Sequence, residues 1–166
     1  MNIEKYQDPA VIRRALASRS IAIVGLSSNE LRPSNFVGYY LKRHRYQIIP
    51  VNPREQRILD EPCYPSLLDI PGTVDVVDVF RDPAAVPEIA EQAVQIGAKF
   101  LWLQFGVISE RGIRIAESAG LGVIVDRCIK IEHARYLGRM HWLGFNTGQI
   151  SARRSPLTRT QPKTDS

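Results

Sequence analysis

The first strongly apolar stretch of the chain ends at a glycine and is followed by a loop rich in hydroxyl groups. Residues 21–24 are all apolar, and the segment after them contains several serines and one arginine. The candidate phosphate ligands in this segment are Gly25, Ser27, Ser28, Arg32 and Ser34. In strand-loop-helix units of this kind, N–H groups of the loop and helix bind a diphosphate, and an arginine adds bidentate charge. The alternative is an ordinary strand-to-helix turn in which the glycine permits the geometry and the serines cap the helix.

The segment lacks the two common nucleotide signatures. No Gly-Lys-Ser or Gly-Lys-Thr follows, which excludes a Walker loop, and Ser27 replaces the second glycine of the dinucleotide pattern. NAD-binding proteins also place a carboxylate at the end of the second strand, where Asn52, Pro53 and Arg54 stand here. A cation at this point favours a ribose that carries its own phosphate, as in NADP or coenzyme A. The alternative is that Arg54 is a solvated surface side chain, with Glu55 beside it offsetting its charge.

Short apolar stretches alternate with stretches of helical period, and these elements must position the loop. Strands are predicted at 21–24, 46–51, 74–80, 100–103 and 123–125, and helices at 9–16, 35–45, 83–96, 110–119 and 129–137. Ser34 and Ser109 are expected to cap the second and fourth helices, Pro87 is an alternative start for the third, and 52–73 is a connection with one helical turn at 66–69. This order predicts an α/β fold with a doubly wound parallel sheet of about five strands and helices on both faces. Ligands bind such sheets beyond the carboxyl ends of the strands.

Size and charge favour one soluble domain over residues 1–138 with a basic, partly flexible extension at 139–166. The net charge is +5, of which the extension carries +4, so the nearly neutral body argues against a nucleic-acid partner. No apolar run is long enough to span a membrane and no secretory signal precedes the first helix, which predicts a cytoplasmic protein. Two cysteines form no metal pattern and no disulfide framework. We expect no metal site.

Several blocks, in order, resemble the small bacterial CoA-binding proteins of Rossmann-like fold, which are related to the CoA-binding domain of the succinyl-CoA synthetase alpha subunit. The resemblance covers about residues 22–137. The blocks that carry it are Val24-Gly25-Leu26-Ser27, Arg32-Pro33-Ser34, Ile49-Pro50-Val51-Asn52-Pro53, 74–81, Ile96-Gly97-Ala98-Lys99, 102–107 and 126–132. The chain departs from the family at Asp60, where relatives often place a glycine, and in the tail beyond Gly138.

This resemblance implies coenzyme A or an acyl-CoA as the ligand, and it implies a role for each part of the sheet edge. Gly25, Ser27, Arg32 and Ser34 would hold phosphates, and Asn52 and Pro53 would border the adenosine. Phe80, Arg81, Gln104 and Val107 would lie along the pantetheine path, and Gly106 is a further candidate cofactor-binding residue. A protein partner or a second copy of the chain is compatible with this prediction, and a membrane partner is not expected.

The sequence offers no catalytic residue that we would assign. The similar synthetases pass a phosphoryl group through a histidine on a further domain, and His44, His133 and His141 are better explained here by packing or surface positions. Cys128 is expected to be buried and inert, with a mixed disulfide to CoA as the alternative, and Glu132 is expected on a solvated face. We therefore predict CoA binding without catalysis. The alternatives are an NADP-dependent oxidoreductase or nucleotide sensor, and a scaffold that has lost its ligand.

Overall fold

A five-stranded parallel sheet forms the centre of the protein, which a computed structural model describes over residues 1–138. The strands are β1 Ser20–Val24, β2 Gln47–Val51, β5 Val76–Val79, β6 Phe100–Leu103 and β7 Gly122–Val125, in the spatial order β2-β1-β5-β6-β7. A two-stranded hairpin, β3 Arg57–Ile58 and β4 Glu61–Pro62, lies outside this sheet. The predicted α/β class and the parallel sheet of five strands are confirmed.

The described residues form five helices: α1 Pro9–Leu16, α2 Pro33–Arg43, α3 Val86–Gln95, α4 Glu110–Ser118 and α5 Ile129–Tyr136. Short 3₁₀ turns occur at Ile3–Tyr6, Leu67–Asp69 and Pro83–Ala85. No helix among residues 1–138 is long and apolar enough to cross a bilayer. The internal contacts divide the chain into a unit of residues 1–129 and a second unit that begins at Lys130. The predicted extension at 139–166 lies outside the described residues.

The strands are almost wholly apolar because both faces of the sheet are covered. One face, with Val77 and Leu101 at its centre, belongs to the same buried cluster as Ile89 of α3 and Ile113 of α4. The indole of Trp102 lies fully buried, and its Nε1–H donates to the carbonyl oxygen of Arg127 at 2.8 Å. The expectation that Trp102 is a core residue is confirmed.

The direction in which the chain winds reverses beside β1. From β1 it passes to β2 on one side of the sheet and then to β5 on the other. In open α/β sheets the loops that follow the two strands at such a reversal separate and leave a crevice, which is where ligands bind. The loops after β1 and β5 begin at Gly25 and Phe80, so these residues stand at the crevice.

Pro50 is tolerated because β2 is an edge strand. Proline has no N–H to donate, which excludes it from most central strands. Here the outer side of the strand end is covered by Tyr64, whose N–H donates to the Pro50 carbonyl oxygen at 3.0 Å, while Asn52 N–H donates to the Tyr64 carbonyl at 2.9 Å. The predicted strand 46–51 is therefore present, starting one residue later.

The hairpin β3–β4 lies within the segment predicted to be a connection. Its turn residues Leu59 and Asp60 have φ of 54° and 64°, the paired positive values of a type I′ turn. Lys42 of α2 secures the turn, because its ammonium group donates to the Leu59 carbonyl at 2.6 Å and lies 3.1 Å from the Glu61 carboxylate. The left-handed conformation at position 60 suits the glycine that the resemblance leads one to expect there, and aspartate also tolerates it.

Two expectations about single residues are wrong. Ser34 does not cap α2: Arg32 occupies the cap position without a side-chain hydrogen bond, and Pro33 takes the first helical position that suits it. Glu132 is not solvated but only 3% exposed, with its carboxylate 3.7 Å from Nε of Arg135, one helical turn away. The other predicted cap, Ser109, is confirmed, since its hydroxyl oxygen accepts from Gly112 N–H at 3.1 Å.

Candidate functional site

A cleft of about 490 Å³ opens at the carboxyl ends of β1, β2 and β5. Its walls come from three loops, one after each of these strands. The residues that line it are Gly25, Ser27, Arg32, Asn52, Pro53, Arg54, Glu55, Phe80, Arg81 and Asp82. Eight of them are predicted ligand residues, and the structure thus brings together the loop after β1, the Asn-Pro-Arg turn and the Phe-Arg pair from distant parts of the chain.

Gly25 sets the floor of the cleft. Its φ is 91°, and its N–H donates to the Val51 carbonyl oxygen at 2.9 Å. A Cβ at this position would lie 2.4 Å from the Phe80 carbonyl oxygen and 3.0 Å from Cδ of Arg81. Only glycine therefore lets the end of β1 approach the end of β5 this closely.

The loop between Gly25 and α2 is held in shape by its own side chains. The hydroxyl oxygen of Ser34 accepts from Ser27 N–H at 3.0 Å, and that of Ser27 accepts from Asn29 N–H at 3.0 Å. Asn35 adds a bond from its Nδ2 to the Ser27 carbonyl at 2.8 Å. These two hydroxyl groups thus fold the loop by accepting bonds from its backbone.

The same loop leaves backbone donors without an acceptor. Within residues 1–138, the N–H groups of Leu26, Ser28 and Glu30 form no hydrogen bond. A run of unpaired N–H groups next to a helix start is the arrangement that binds anions in many nucleotide sites. This loop, which contributes Gly25, Ser27 and Arg32 to the cleft, thus has backbone donors suited to an anion.

Asn52 joins the second loop to the first. Its Nδ2 donates to the Leu26 carbonyl at 3.0 Å, and its Oδ1 accepts from Arg54 N–H at 2.8 Å. Cys63 donates its thiol proton to the Asn52 carbonyl at 3.4 Å. The side chain that stands where NAD-binding proteins carry a carboxylate is therefore used to hold the turn that presents Arg54.

Three exposed arginines give the cleft a positive excess. None of Arg32, Arg54 and Arg81 takes part in a salt bridge among the described residues. The two acids of the lining, Glu55 and Asp82, use their carboxylates differently: Glu55 accepts from the Ser28 hydroxyl at 2.8 Å, and Asp82 from Ala84 N–H at 3.5 Å. The arginines are thus available to a polyanionic ligand.

Five predicted ligand residues lie outside the lining of this cleft. Ser28 and Ser34 belong to the first loop, with the contacts given above. Gln104, Gly106 and Val107 follow β6, on the other half of the same sheet edge. Gln104 is buried and its Oε1 accepts from Ile129 N–H at 3.0 Å, while Gly106 N–H donates to Asp126 Oδ1 at 2.8 Å. These contacts fix the ends of β6 and β7.

A second, smaller pocket of about 160 Å³ adjoins the cleft, with which it shares Pro53 and Arg81. Its other walls are mostly aliphatic, with polar groups from α3 and the segment before Leu67. They comprise Val24, Val51, Pro65, Ser66, Leu67, Ala85, Glu88, Ile89 and Gln92. Sequence reasoning missed this pocket, as it missed Glu55 and Asp82 in the cleft, because only the packing of α3 against the strand ends creates it.

The described cysteines and histidines lie outside the lining of the cleft. Cys128 is 9% exposed, as expected, and burial raises the pKa of the half-buried Cys63 thiol. His44 stacks on Tyr40 with ring centroids 4.1 Å apart, and His133 is buried. His141 lies outside the described residues. Residues 1–138 contain no group of three or more histidine, cysteine or acidic side chains placed to hold a metal ion.

A known protein-family model matches most of the described part of the chain. The model of the CoA binding domain matches residues 19–134. An uncharacterized protein of Bacillus subtilis, YneT, is 38% identical over 133 residues, which are 80% of this chain and 96% of that protein. A hypothetical protein from Pyrococcus horikoshii, whose structure is known, superposes with a TM-score of 0.79 at 38% identity over 83% of this chain and 98% of its own.

Part of a larger enzyme is also similar. The ADP-forming acetate–CoA ligase II of Archaeoglobus fulgidus is 33% identical over 108 residues. These are 64% of this chain and 16% of the ligase. The similarity thus concerns one segment of that enzyme.

Proposed function

The chain belongs to the CoA binding domain family, and we propose that it binds coenzyme A or an acyl-CoA without catalysing a reaction on it. The observation that carries the proposal is the cleft at the winding reversal, which is lined by three arginines without a salt bridge and by the loop after β1, whose backbone includes unpaired N–H groups. Coenzyme A carries a diphosphate and a 3′-phosphate, and several charges of this kind need several fixed cations.

The two ends of the cleft suit different phosphates of the ligand. The diphosphate would bind at the N–H groups of Ser28 and Glu30, with Arg32 supplying charge from the helix start. Arg54, presented by the Asn52 turn, would bind the 3′-phosphate on the ribose. Arg81 stands between the cleft and the second pocket and would contact the nucleotide from the β5 side.

The remaining groups of coenzyme A fit the surfaces on either side of the phosphates. The adenine would enter the second pocket, whose aliphatic walls match a planar base and whose Glu88 and Gln92 offer an acceptor and an amide to its edge. The pantetheine arm would then leave the cleft past Phe80 toward the loop that contains Gln104, Gly106 and Val107. The adenosine border predicted at Asn52 and Pro53 agrees with this orientation.

Binding without chemistry is supported by the composition of the cleft. Its lining contains no histidine, cysteine or lysine that could activate a nucleophile, the Ser27 hydroxyl accepts from Asn29 N–H, and the two carboxylates also accept hydrogen bonds. The activity named for the ligase relative belongs to a protein of which this chain spans 16%. We expect no CoA-thioester when the protein is incubated with ATP, CoA and acetate.

Isothermal titration calorimetry with four ligands tests the proposal. We expect saturable heat with coenzyme A and weaker binding of dephospho-CoA and of NAD, both of which lack the extra ribose phosphate. NADP is the informative competitor, because its additional phosphate is on the 2′ position. Failure to bind CoA at about 1 mM, a free energy near −4 kcal/mol, would contradict the proposal, and tighter binding of NADP would replace it with the oxidoreductase or sensor alternative.

A further inference from the structure

One hydrogen bond with a charged acceptor joins the loops that follow β1 and β2. The hydroxyl of Ser28, in the loop after β1, donates to Oε2 of Glu55, in the loop after β2, at 2.8 Å. Glu55 lines the cleft together with the three arginines, yet it forms no salt bridge with any of them. The Glu55 carboxylate therefore occupies the Ser28 hydroxyl, a hydrogen-bond donor of the loop after β1, beside a cleft with an excess of positive charge.

This contact is not needed to keep the two loops together. Deeper in the site they are already joined by Gly25 N–H to the Val51 carbonyl at 2.9 Å and by Asn52 Nδ2 to the Leu26 carbonyl at 3.0 Å. Both of those bonds are uncharged. Ser28 is exposed, and a bond between an exposed hydroxyl and a carboxylate in water adds little to folding stability.

We propose that Glu55 is an internal competitor for the phosphate position: in the free protein its carboxylate accepts the Ser28 hydroxyl that a ligand phosphate accepts in the complex. This inference rests on the proposed function. Carboxylate and phosphate oxygens take the same donors, and two anions cannot share one hydroxyl at hydrogen-bond distance without repulsion. Binding transfers the Ser28 hydrogen bond to the ligand and turns Glu55 outward.

The consequence is selectivity for ligands of high charge. A single phosphate gains little by displacing Glu55, because it replaces one anion by another. A ligand with several phosphates engages the arginines at the same time, so displacement is favourable for it. Glu55 is thus a specificity-determining residue that sets the affinity of the cleft below what its three arginines alone would give.

The variant Glu55→Gln tests this role with little change of shape. Its amide oxygen still accepts from Ser28, but the negative charge is gone. We expect coenzyme A to bind about tenfold more tightly to this variant in calorimetric titration. The matched control is Glu91→Gln on α3, an exposed acid outside the cleft, which changes the net charge equally and should shift the dissociation constant less than twofold.

A double-mutant cycle separates competition from a general electrostatic effect. Removing the hydroxyl in Ser28→Ala deletes a donor that serves Glu55 in the free protein and the phosphate in the complex, so its two effects on affinity oppose each other. In the Glu55→Gln background the serine hydroxyl no longer serves a charged acceptor in the free protein. Its removal there mainly costs the hydrogen bond to the ligand phosphate. The serine substitution should therefore weaken binding several-fold more in that background than in the parent, and additive effects would contradict the shared-donor mechanism.

Inorganic pyrophosphate distinguishes failure of this inference from failure of the proposed function. It carries the charge of the diphosphate without the nucleotide or the thiol. If coenzyme A does not bind but pyrophosphate binds more tightly to Glu55→Gln than to the parent, the competition stands and the CoA assignment falls. The inference is overturned if both probes bind to Glu55→Gln as they bind to the parent, or more weakly. Weaker binding would assign Glu55 to a direct ligand contact.

Discussion

Gly25 and Phe80 approach each other so closely that a Cβ on residue 25 would lie 2.4 Å from the Phe80 carbonyl oxygen. The atom on the other side is backbone at the end of a central strand and cannot rotate away. The φ of Gly25 is also 91°, which side chains disfavour. A side chain at position 25 would therefore disturb both the cleft, which these two residues line, and the sheet, whose neighbouring strands they follow.

Gly25→Ala should therefore destabilise the protein by about 2 kcal/mol or more, because the strain of the positive φ adds to the clash. Urea unfolding followed by circular dichroism measures the change. Gly72→Ala is the matched control: a Cβ there meets nothing within 4 Å, and its stability should equal or slightly exceed that of the parent. If both variants unfold at the same urea concentration, Gly25 is not required for the strand approach.

Two of the cleft arginines, Arg54 and Arg32, should differ in what they recognise. Arg54→Ala should weaken coenzyme A by about tenfold to a hundredfold, the usual range for a charge-assisted hydrogen bond, and leave dephospho-CoA almost unchanged. Arg32→Ala should weaken both ligands, because both contain the diphosphate. Calorimetric titration of the two ligands against each variant gives the comparison.

Arg111→Ala serves as the control for these substitutions, since Arg111 is exposed on α4 away from the cleft lining. It should bind both ligands as the parent does. Equal loss of coenzyme A and dephospho-CoA in Arg54→Ala would show that Arg54 does not recognise the 3′-phosphate. Unchanged affinity in Arg32→Ala would remove the first loop from the proposed diphosphate site.

Much of the fold followed from local sequence, because its signals do not depend on distant partners. The short apolar runs indicate buried strands. Gly25 indicates a tight turn after the first strand, and Ser109 indicates the start of a helix. Pro33 shows the limit: serine is a good cap, but proline at the first helical position moved the cap to Arg32 and left Ser34 inside the helix. Two good local signals competed, and the sequence alone does not rank them.

The site was predictable where it depends on strand ends and not where it depends on packing between elements. Arg54 and Arg81 follow directly from the ends of β2 and β5. Glu55, which lines the cleft, accepts a hydrogen bond from a residue 27 positions away, and Gln92 lines the second pocket because α3 packs near Pro53. No periodicity or spacing carries information of that kind.

Cys128 should not form a mixed disulfide with coenzyme A in the folded protein. Its side chain is buried, and the attacking species in thiol exchange must reach a disulfide sulfur. After incubation with CoA disulfide, the intact mass should show no adduct that depends on Cys128. Protein treated in denaturant is the positive control and should be modified. An adduct on the native protein that disappears in Cys128→Ser would contradict this expectation and reopen a redox role.

Asp78 should make the protein less stable as the pH rises. It lies in the central strand β5, is 0% exposed, and neither carboxylate oxygen has a hydrogen-bond partner. Burial without a partner opposes ionisation and raises its pKa well above 3.8. The folded state then keeps a proton that the unfolded state releases above about pH 4, so this residue's contribution to stability is greatest in acid and falls until the pH passes the raised folded pKa.

Two substitutions at position 78 test that dependence. Asp78→Asn cannot ionise, so the difference between its unfolding free energy and that of the parent should grow in its favour between about pH 4.5 and 8, by about 1.4 kcal/mol for each unit by which the pKa is raised. Asp78→Val also removes the unpaired polar atoms and suits a buried strand, so it should be the more stable of the two at every pH. Parallel stability curves for the parent and Asp78→Asn would mean that Asp78 titrates normally, which would require that the carboxylate reach water or a cation in solution.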